Sequence, residues 1–244
     1  MLLIANNIYA DLSNDLKNFN PTYEKQFVII ITSFNNKDWY QKNLDSICTQ
    51  QYSNYRVVYI DDASTDGTGA LVEAYIAEHG YRHITLIKNQ SNKGALANLY
   101  HAIHACNDDD IVVTVDGDDW FTRNDVLTLL NKVYTHDPNV WLTYGQIQNY
   151  PADKWFQSEP LPLRIIKNNA YRSYRYRTTH LRTFYAWLFK KIKYEDFLHN
   201  GAFFSVTGDL AWMFPLLEMA GFHTQFVPDK LYVYNEANPI NDSK

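Results

Sequence analysis

The chain has 244 residues, 46% of them hydrophobic and 16% aromatic, so a single domain with a large core is expected. Its formal net charge of −5 argues against a general nucleic-acid-binding protein, whose surface would be basic overall. The two cysteines form no pattern of a disulfide framework or a zinc site, which favours a reducing, cytoplasmic location.

The start of the chain has no feature of a signal peptide or a membrane anchor. Residues 1–5 are apolar, but this run is too short and lacks a basic flank. Residues 1–24 as a whole are polar and without sustained periodicity, which predicts an N-terminal arm or a short helix. No later apolar run approaches the roughly 18 residues of a membrane span, so a soluble protein is expected.

Residues 25–145 alternate between short apolar runs and segments with helical spacing. Strands are predicted at 27–31, 57–60, 84–87, 111–116 and 140–144, with amphipathic helices between them. Alternation of this kind is typical of βαβ units with right-handed crossovers. The fold class is therefore α/β, with a mainly parallel central sheet flanked by helices on both faces.

Three carboxylates follow the fourth predicted strand. Asp116, Asp118 and Asp119 lie around Gly117, at the end of a parallel strand where α/β sheets bind ligands. Crowded carboxylates repel one another unless a cation lies between them. Oxygen ligands favour Mg(II) or Mn(II), often held together with the phosphates of a substrate. The alternative interpretation is an acidic turn that caps the next helix.

Two further polar loops are predicted at the same edge of the sheet. Residues 32–36 offer hydroxyls and backbone N–H groups, and residues 61–68 begin with two acids. Neither a Gly-rich dinucleotide fingerprint nor a Walker loop follows the first strand. An acid-lined cleft suits a ligand whose phosphates arrive with a metal, and a nucleotide-sugar fits that description.

Four motifs have the order and spacing of a known enzyme family, at residues 28–35, 60–68, 92–94 and 116–119. Across about residues 26–145 they resemble the family 2 glycosyltransferases of the GT-A fold. The resemblance implies one GT-A domain, with a nucleotide-sugar-binding half at 25–145 and an acceptor-side half at 146–244. It also implies inverting transfer from a UDP-sugar donor, with Mn(II) or Mg(II) as cofactor.

The same resemblance assigns residues to the donor site: Thr32, Ser33, Phe34, Asp62, Lys93, Asp116, Gly117 and Asp118. Asp62, the second acid of its pair, corresponds to the residue that accepts from uracil N3, an imide N–H that cytosine lacks. Asp61 is expected to act in a turn or cap, and a solvated side chain is the alternative for Lys93. Asp118 and Asp119 are the implied metal ligands.

Positive charge is concentrated in residues 160–194, with nine Lys or Arg and no Asp or Glu, and all nine lie between 164 and 193. A solvated helix face, a patch that faces the diphosphate or an anionic acceptor, and a peripheral membrane contact all remain open. The last would place the protein at the inner face of a membrane. Helical spacing predicts an amphipathic helix over 178–193. Single-stranded nucleic acid is disfavoured because the acidic cleft would repel its backbone.

Asp209 is the candidate catalytic base. It lies in a stretch similar to the acceptor-side motif of the family, in which an acid opens a helix at the cleft. The usual pattern is a pair of acids, and because this chain has Gly208 before Asp209, only Asp209 corresponds. An N-cap role is the alternative, and both roles can coexist. His180 and Arg182 could assist the leaving diphosphate or cap the predicted helix.

Two other functions are compatible with an acid-tipped sheet. A sugar-1-phosphate nucleotidyltransferase should carry a Gly-rich loop with Arg and Lys, which residues 28–40 lack. A sugar-nucleotide-binding or scaffold domain would not need its acids intact. The acceptor stays open between a glycan, a lipid, a small molecule and a protein. Late strands are predicted at 224–227 and 231–233, followed by a tail over the site or by more chain.

Overall fold

The structure, a computed structural model, describes residue 16, residues 19–151 and residues 158–240. Most of the predicted N-terminal arm lies outside these residues. The described strands are β1 (Phe27–Ser33), β2 (Tyr55–Asp61), β3 (Ile84–Lys88), β4 (Ile111–Asp116), β5 (Trp120–Phe121), β6 (Leu142–Tyr150), β7 (Thr179–Tyr185), β8 (Leu198–His199), β9 (Ala202–Phe203) and β10 (Thr224–Asn235). Eight of them form one sheet in the order β3-β2-β1-β4-β7-β6-β10-β5, and β8 pairs with β9 in a separate hairpin.

Helices cover both faces of this sheet. They are α1 (Tyr40–Cys48), α2 (Thr68–His79), α3 (Ala95–His104), α4 (Val126–His136), α5 (Leu163–Lys167), α6 (Ala186–Lys190) and α7 (Gly208–Ala220). Apolar residues of α1, α2 and α4 pack against one face, and those of α3, α6 and α7 against the other. Every residue of β1 except Thr32 is therefore buried, as expected for a central parallel strand. The predicted architecture is confirmed.

Parallel pairing brings the three polar loops together. Strand β1 runs parallel to β2 on one side and to β4 on the other. In this register Thr32 is the partner of Asp116, and Ser33 is the partner of Asp61. The loops after β1, β2 and β4 consequently open at one edge, as the sequence predicted.

The predicted amphipathic helix over 178–193 is wrong. Residues 179–185 form β7, which pairs antiparallel with β4 and β6, and only 186–190 are helical. Leu181 and Phe184 contribute to the cores on opposite faces of the sheet. Because a strand buried on both faces has no polar alternation, its apolar residues can match a helical spacing by chance.

The end of the chain also departs from the prediction. The two late strands are one strand, β10, whose pairing with β6 is irregular between Phe226 and Tyr232. Strand β6 extends to Tyr150, beyond the predicted end at 144. No helix within the described ranges is long and apolar enough to cross a membrane.

Candidate functional site

Close packing against β1 shapes the acidic loop after β4. A Cβ atom on Gly117 would lie 2.5 Å from the Ser33 side chain and 2.7 Å from Asn36 Nδ2, so the loop requires a glycine there. On its other side, the buried Asn43 side chain donates to the carbonyls of Asp116 and Asp119, at 3.0 and 2.7 Å. The loop is therefore fixed by side chains from β1 and α1.

The three acids of this loop have different surroundings. The Asp116 side chain is 49% exposed at the cleft. Asp118 Oδ2 accepts a 2.8 Å hydrogen bond from the Asn238 side chain. Asp119 is only 1% exposed, and its Oδ1 accepts from the backbone N–H of Asn235 at 2.7 Å. Asp116 and Asp118 are therefore partly exposed, whereas Asp119, one of the two predicted metal ligands, is buried.

Burial and the neighbouring charges disfavour ionisation of Asp119. Burial first, and then the charges of Asp116 and Asp118, raise the pKa of Asp119 well above its ordinary value. Its Oδ2 is buried and has no hydrogen-bond partner among the described residues. The ionised carboxylate therefore costs stability in the absence of a cation.

Asp119→Asn should stabilise the protein when divalent cations are removed. Asparagine keeps the oxygen that accepts from Asn235 and removes the repelled charge, so we expect a gain of about 1 kcal/mol, or about 2–4 °C in melting temperature. Thermal unfolding at neutral pH in EDTA measures the change. The exposed Asp109→Asn serves as the matched control and should have no effect. A lower melting temperature for Asp119→Asn would contradict the conclusion that the buried charge of Asp119 destabilises the protein.

The carboxylate oxygens of the acidic loop suit a divalent cation that binds together with its substrate. Within residues 19–151 and 158–240, no group of three His, Cys, Asp or Glu side chains is arranged to hold a metal alone. Mg(II) is commonly held by one or two carboxylates together with substrate phosphates. The orphaned buried oxygen of Asp119 and the crowding around Asp118 indicate a site short of positive charge. Asp116 and Asp118 therefore fit the predicted Mn(II) or Mg(II).

Asp62 anchors the loop that contains Lys93. Its carboxylate accepts from Asn89 Nδ2 and from the backbone N–H groups of Lys93 and Gly94, at 2.7 to 2.9 Å. Burial opposes ionisation, but these bonds and the nearby Asn98 amide hold the pKa of Asp62 below its ordinary value. Asp62 is thus an ionised acceptor that is only 3% exposed, with both oxygens engaged by the loop, and Lys93 contributes its backbone N–H to it.

The three predicted donor contacts in the loop after β1 differ in accessibility. Thr32 is half-buried beside Asp116, and Phe34 is exposed. Ser33 is buried, and its Oγ accepts from the Tyr59 hydroxyl at 2.9 Å. The structure therefore leaves Thr32 and Phe34 accessible to a ligand and gives Ser33 a packing role.

A cleft of about 350 Å³ lies beside Asp116. Its walls come from both halves of the chain: Ala95, Leu96, Leu99, Thr114, Asp116, His180, Arg182, Phe204, Ser205, Val206, Thr207, Gly208, Asp209, Trp212 and Tyr234. Asp116 and Asp209 are the two carboxylates among these residues. The cleft thus joins the predicted donor acid to the predicted base.

A buried guanidinium holds Asp209. Arg182 is 4% exposed, and its Nη2 donates to Asp209 Oδ2 at 3.1 Å, while its Nε donates to the Thr178 carbonyl. The rings of Tyr176 and Trp212 lie 5.8 and 5.6 Å from the guanidinium carbon. Because hydrogen bonds and two aromatic rings fix the position of its guanidinium group, Arg182 presents an immobile cation to the cleft.

Asp209 does not cap α7. The helix begins at Gly208, the cap position is Thr207, and no side chain caps the helix. Asp209 lies in the first turn, where a negative charge interacts favourably with the helix dipole. Its Oδ2 pairs with Arg182, and its Oδ1 accepts from the backbone N–H of Leu210 in the first turn.

His180 is neutral in this environment. Burial, followed by the charge of Arg182, lowers the pKa of His180 well below its ordinary value. The ring stacks on Tyr232, with a centroid separation of 4.6 Å, and Nε2 lies 3.8 Å from Asp116 Oδ2. His180 thus lines the cleft as an uncharged ring and does not add to its positive charge.

The basic region is not one uncompensated patch. Within the described part of the chain, at least four of its nine Lys and Arg side chains have acidic partners, in the pairs Arg172–Glu218, Arg175–Glu159, Arg182–Asp209 and Lys190–Asp108. Its residues are also divided between helices, β7 and loops. The described contacts therefore give no support to a basic surface that faces a membrane.

Some residues of the site were not found by sequence reasoning. Asn43, Asn235 and Asn238 hold the acidic loop, and Trp212 packs on Arg182. None of them has a spacing or composition that marks a site. They could be found only once the fold had placed distant segments together.

A comparison with protein families supports the inferred chemistry. A family model described as glycosyl transferase family 2 matches residues 28–198, which is more than half of the chain. The chain belongs to glycosyl transferase family 2. The match covers the loops after β1, β2 and β4 as well as Arg182, and it ends before Asp209.

Curated glycosyltransferases are related to this family 2 chain over part of their length. It is 37% identical to the putative glycosyltransferase EpsE of Bacillus subtilis over 92 residues, covering 37% of this chain and 32% of that protein. It is 25% identical to glycosyltransferase GlyG of Streptococcus pneumoniae over 218 residues, covering 84% of this chain and 69% of the relative. The chain therefore spans about a third of the first protein's length.

Solved structures show the GT-A fold of this family 2 chain. S. aureus TarS 1–349 in complex with UDP-GlcNAc gives a TM-score of 0.65 at 19% identity, over 87% of this chain and 59% of that chain. The mannosyltransferase PcManGT from Pyrobaculum calidifontis, in complex with GDP-Man and Mn2+, gives 0.62 at 23% identity, over 92% and 61%. The predicted fold class is confirmed.

Proposed function

We propose that the chain transfers a sugar from a UDP-sugar to a hydroxyl acceptor, with inversion at the anomeric carbon and with a divalent cation. The observation that carries the proposal is the shared cleft, in which Asp116 of the donor half and Asp209 of the acceptor half line one cavity beside Arg182. Membership of the family supports glycosyl transfer. The donor, the stereochemistry and the cation are our own extension.

On the donor side, we assign nucleotide contacts to the loops after β1 and β2. Thr32 and Phe34 are accessible beside the acidic loop, and Asp62 supplies an ionised acceptor for the imide N–H of uracil. Asp116 and Asp118 would hold the cation. When bound, the cation would act as a Lewis acid that neutralises charge on the leaving diphosphate.

On the acceptor side, Asp209 takes the proton of the attacking hydroxyl. Its Oδ2 is tied to Arg182 and its Oδ1 accepts from the Leu210 backbone N–H, so the carboxylate is held in one orientation. General base catalysis requires a carboxylate that is positioned in this way. Asp116 and Asp209 are the two carboxylates among the described residues of the cleft. We assign Asp116 to the sugar donor and Asp209 to proton removal, so neither is left to act as a covalent nucleophile. This favours direct displacement with inversion.

The fixed charge of Arg182 contributes to the same step. A preorganised cation in a cleft stabilises negative charge that develops in the transition state. Arg182 therefore serves two groups, since it orients the base and adds positive potential near the departing diphosphate. This is consistent with the predicted assistance to the leaving group, although its observed side-chain partner is Asp209.

Nucleotide release from a panel of donors tests the proposed function. The protein is incubated with Mn2+ and a set of UDP-sugars and GDP-sugars, and released nucleotide is measured. Slow release of UDP from at least one UDP-sugar is expected, with loss of release in EDTA and in Asp116→Asn. The exposed Asp109→Asn should behave as wild type. Release from GDP-sugars alone would overturn the donor assignment, and failure to bind any nucleotide would overturn the function.

Asp62→Ala should weaken UDP binding by roughly 1–3 kcal/mol, the cost of losing a charge-assisted hydrogen bond. It should also lower the melting temperature, because the backbone N–H groups of Lys93 and Gly94 lose their acceptor. Asp61 lies beneath the start of α2 beside Gly69, so Asp61→Ala should lower stability alone. Calorimetric titration with UDP and thermal melts separate the two. Weaker binding in Asp61→Ala with normal binding in Asp62→Ala would reassign the base contact within this pair.

A further inference from the structure

The segment after β10 folds over the acidic loop. Asn235 is fully buried, and its backbone N–H donates to Asp119 Oδ1 at 2.7 Å. The Asn235 side chain donates to the Asp118 carbonyl at 3.1 Å. These two bonds, one to the Asp119 carboxylate and one to the Asp118 backbone carbonyl, seat the start of segment 235–240 on the loop.

A second asparagine in this segment contacts a carboxylate of the donor site itself. Asn238 is 3% exposed, and its Nδ2 donates to Asp118 Oδ2 at 2.8 Å and to Asn36 Oδ1 at 3.1 Å. Asn36 in turn donates from Nδ2 to Ser33 Oγ at 3.1 Å. A continuous chain of hydrogen bonds thus connects the end of the described chain, the acidic loop and the loop after β1.

The chemistry of this position is specific to a primary amide. The NH₂ group has two N–H donors, and here each meets a different oxygen acceptor. An aspartate at 238 would offer no donor and would repel Asp118, while an alanine would leave Asn36 without this partner. Since Asn235 already seats the segment, the added effect of Asn238 is to fix the orientation of the Asp118 side chain.

We propose that Asn238 is a positioning residue of the donor site, which holds the Asp118 carboxylate and couples the segment 235–240 to donor affinity. The inference rests on the proposed function, because Asp118 is assigned there to the cation and the donor. Nucleotide binding then depends on a residue 120 positions away from Asp118 in the sequence. The donor site is complete only when this segment is seated.

UDP binding in the presence of Mn2+ tests the proposal. Calorimetry compares the full-length wild type with Asn238→Ala, and with Ile240→Ala as a matched control, since Ile240 is 50% exposed in the same segment. We expect the dissociation constant of Asn238→Ala to rise tenfold or more and that of Ile240→Ala to stay at the wild-type value. Thermal melts of both variants establish that the measured protein is folded.

A second variant gives a readout that does not depend on nucleotide. In EDTA, Asn238→Asp should melt at a lower temperature than Asn238→Ala, because two carboxylates then face each other. Adding Asp118→Asn to Asn238→Asp should restore the melting temperature. Wild-type UDP affinity in Asn238→Ala, or no recovery in the double variant, would overturn the positioning role. If wild type itself binds no nucleotide with Mn2+, the proposed function fails instead, and the melting experiment still tests the Asn238–Asp118 contact.

Discussion

Replacing Asp209 by asparagine should lower the rate of sugar transfer by about 10²–10⁴-fold, the usual contribution of a positioned general base. The change removes the basic oxygen pair but keeps an oxygen that can accept from Arg182, so the cleft should keep its shape. The effect should fall on kcat, because proton removal stabilises the transition state and not the donor-bound ground state. Initial rates with an identified acceptor, together with a UDP titration, measure both quantities.

Asp209→Ala provides the contrast for this experiment. Alanine leaves the guanidinium of Arg182 buried without its carboxylate, and loss of one member of a buried pair is strongly destabilising, by up to about 3–5 kcal/mol. Because Asp209 is itself partly exposed, the loss should fall below that limit. We expect both variants to melt below wild type, with the smaller loss for asparagine, because it keeps a hydrogen-bond acceptor for Arg182 although it removes the charge. Full transfer activity in Asp209→Asn would return Asp209 to a structural role beside Arg182.

Removal of divalent cations should lower UDP affinity at least tenfold, equivalent to about 1.4 kcal/mol. In the absence of a cation, the diphosphate would face Asp116 and Asp118, whose negative charges repel it. Asp118→Asn should produce a similar loss in Mn2+ and should make the remaining affinity insensitive to EDTA. Calorimetry of wild type and variant, each with Mn2+ and with EDTA, gives the four affinities required.

Asp119→Asn serves as the matched control for the cation experiment. It changes the adjacent acid in the same way, but Asp119 is directed into the protein toward Asn235. Its UDP affinity should therefore keep the wild-type dependence on Mn2+. Loss of that dependence in Asp119→Asn, with retention in Asp118→Asn, would restore Asp119 as the cation ligand predicted from the sequence. Equal UDP affinity of wild type in Mn2+ and EDTA would end the metal hypothesis.

Much of the sheet could be predicted because its central strands are buried on both faces. Residues 27–31 are an uninterrupted apolar run, and residues 111–115 are apolar except for Thr114. Each run is followed by polar residues at the edge where the candidate site lies. The same property caused the error at β7. Leu181 and Phe184 are three positions apart and both buried, so spacing alone could not separate a strand with two covered faces from a helix with one.

The residues of the candidate site also fall into two groups, those that local sequence could predict and those that it could not. Asp62, Asp116 and Asp118 are adjacent to strand ends, so local sequence was enough to place them at the same edge of the sheet. The partners of the site were not predictable, because Arg182 meets Asp209 across 27 positions and Asn238 meets Asp118 across 120. Asp119 differs from its two neighbouring acids because it is buried. The segment that covers it includes Asn235, which is 116 positions away, so this burial could not be predicted from local sequence.

The antiparallel strand β7 has a consequence for how new specificities can arise in this protein. It lies in residues 146–244, yet it pairs with β4 of residues 25–145, and β10 near the end of the chain pairs with β5. The two halves therefore share one hydrogen-bonded ladder and cannot be exchanged as cassettes. A chimera joined near residue 145 would divide β6 and would also have to rebuild the pairings β4–β7 and β5–β10. Changes of acceptor should instead be sought by exchanging the cleft-lining residues 204–207, which lie outside the ladder.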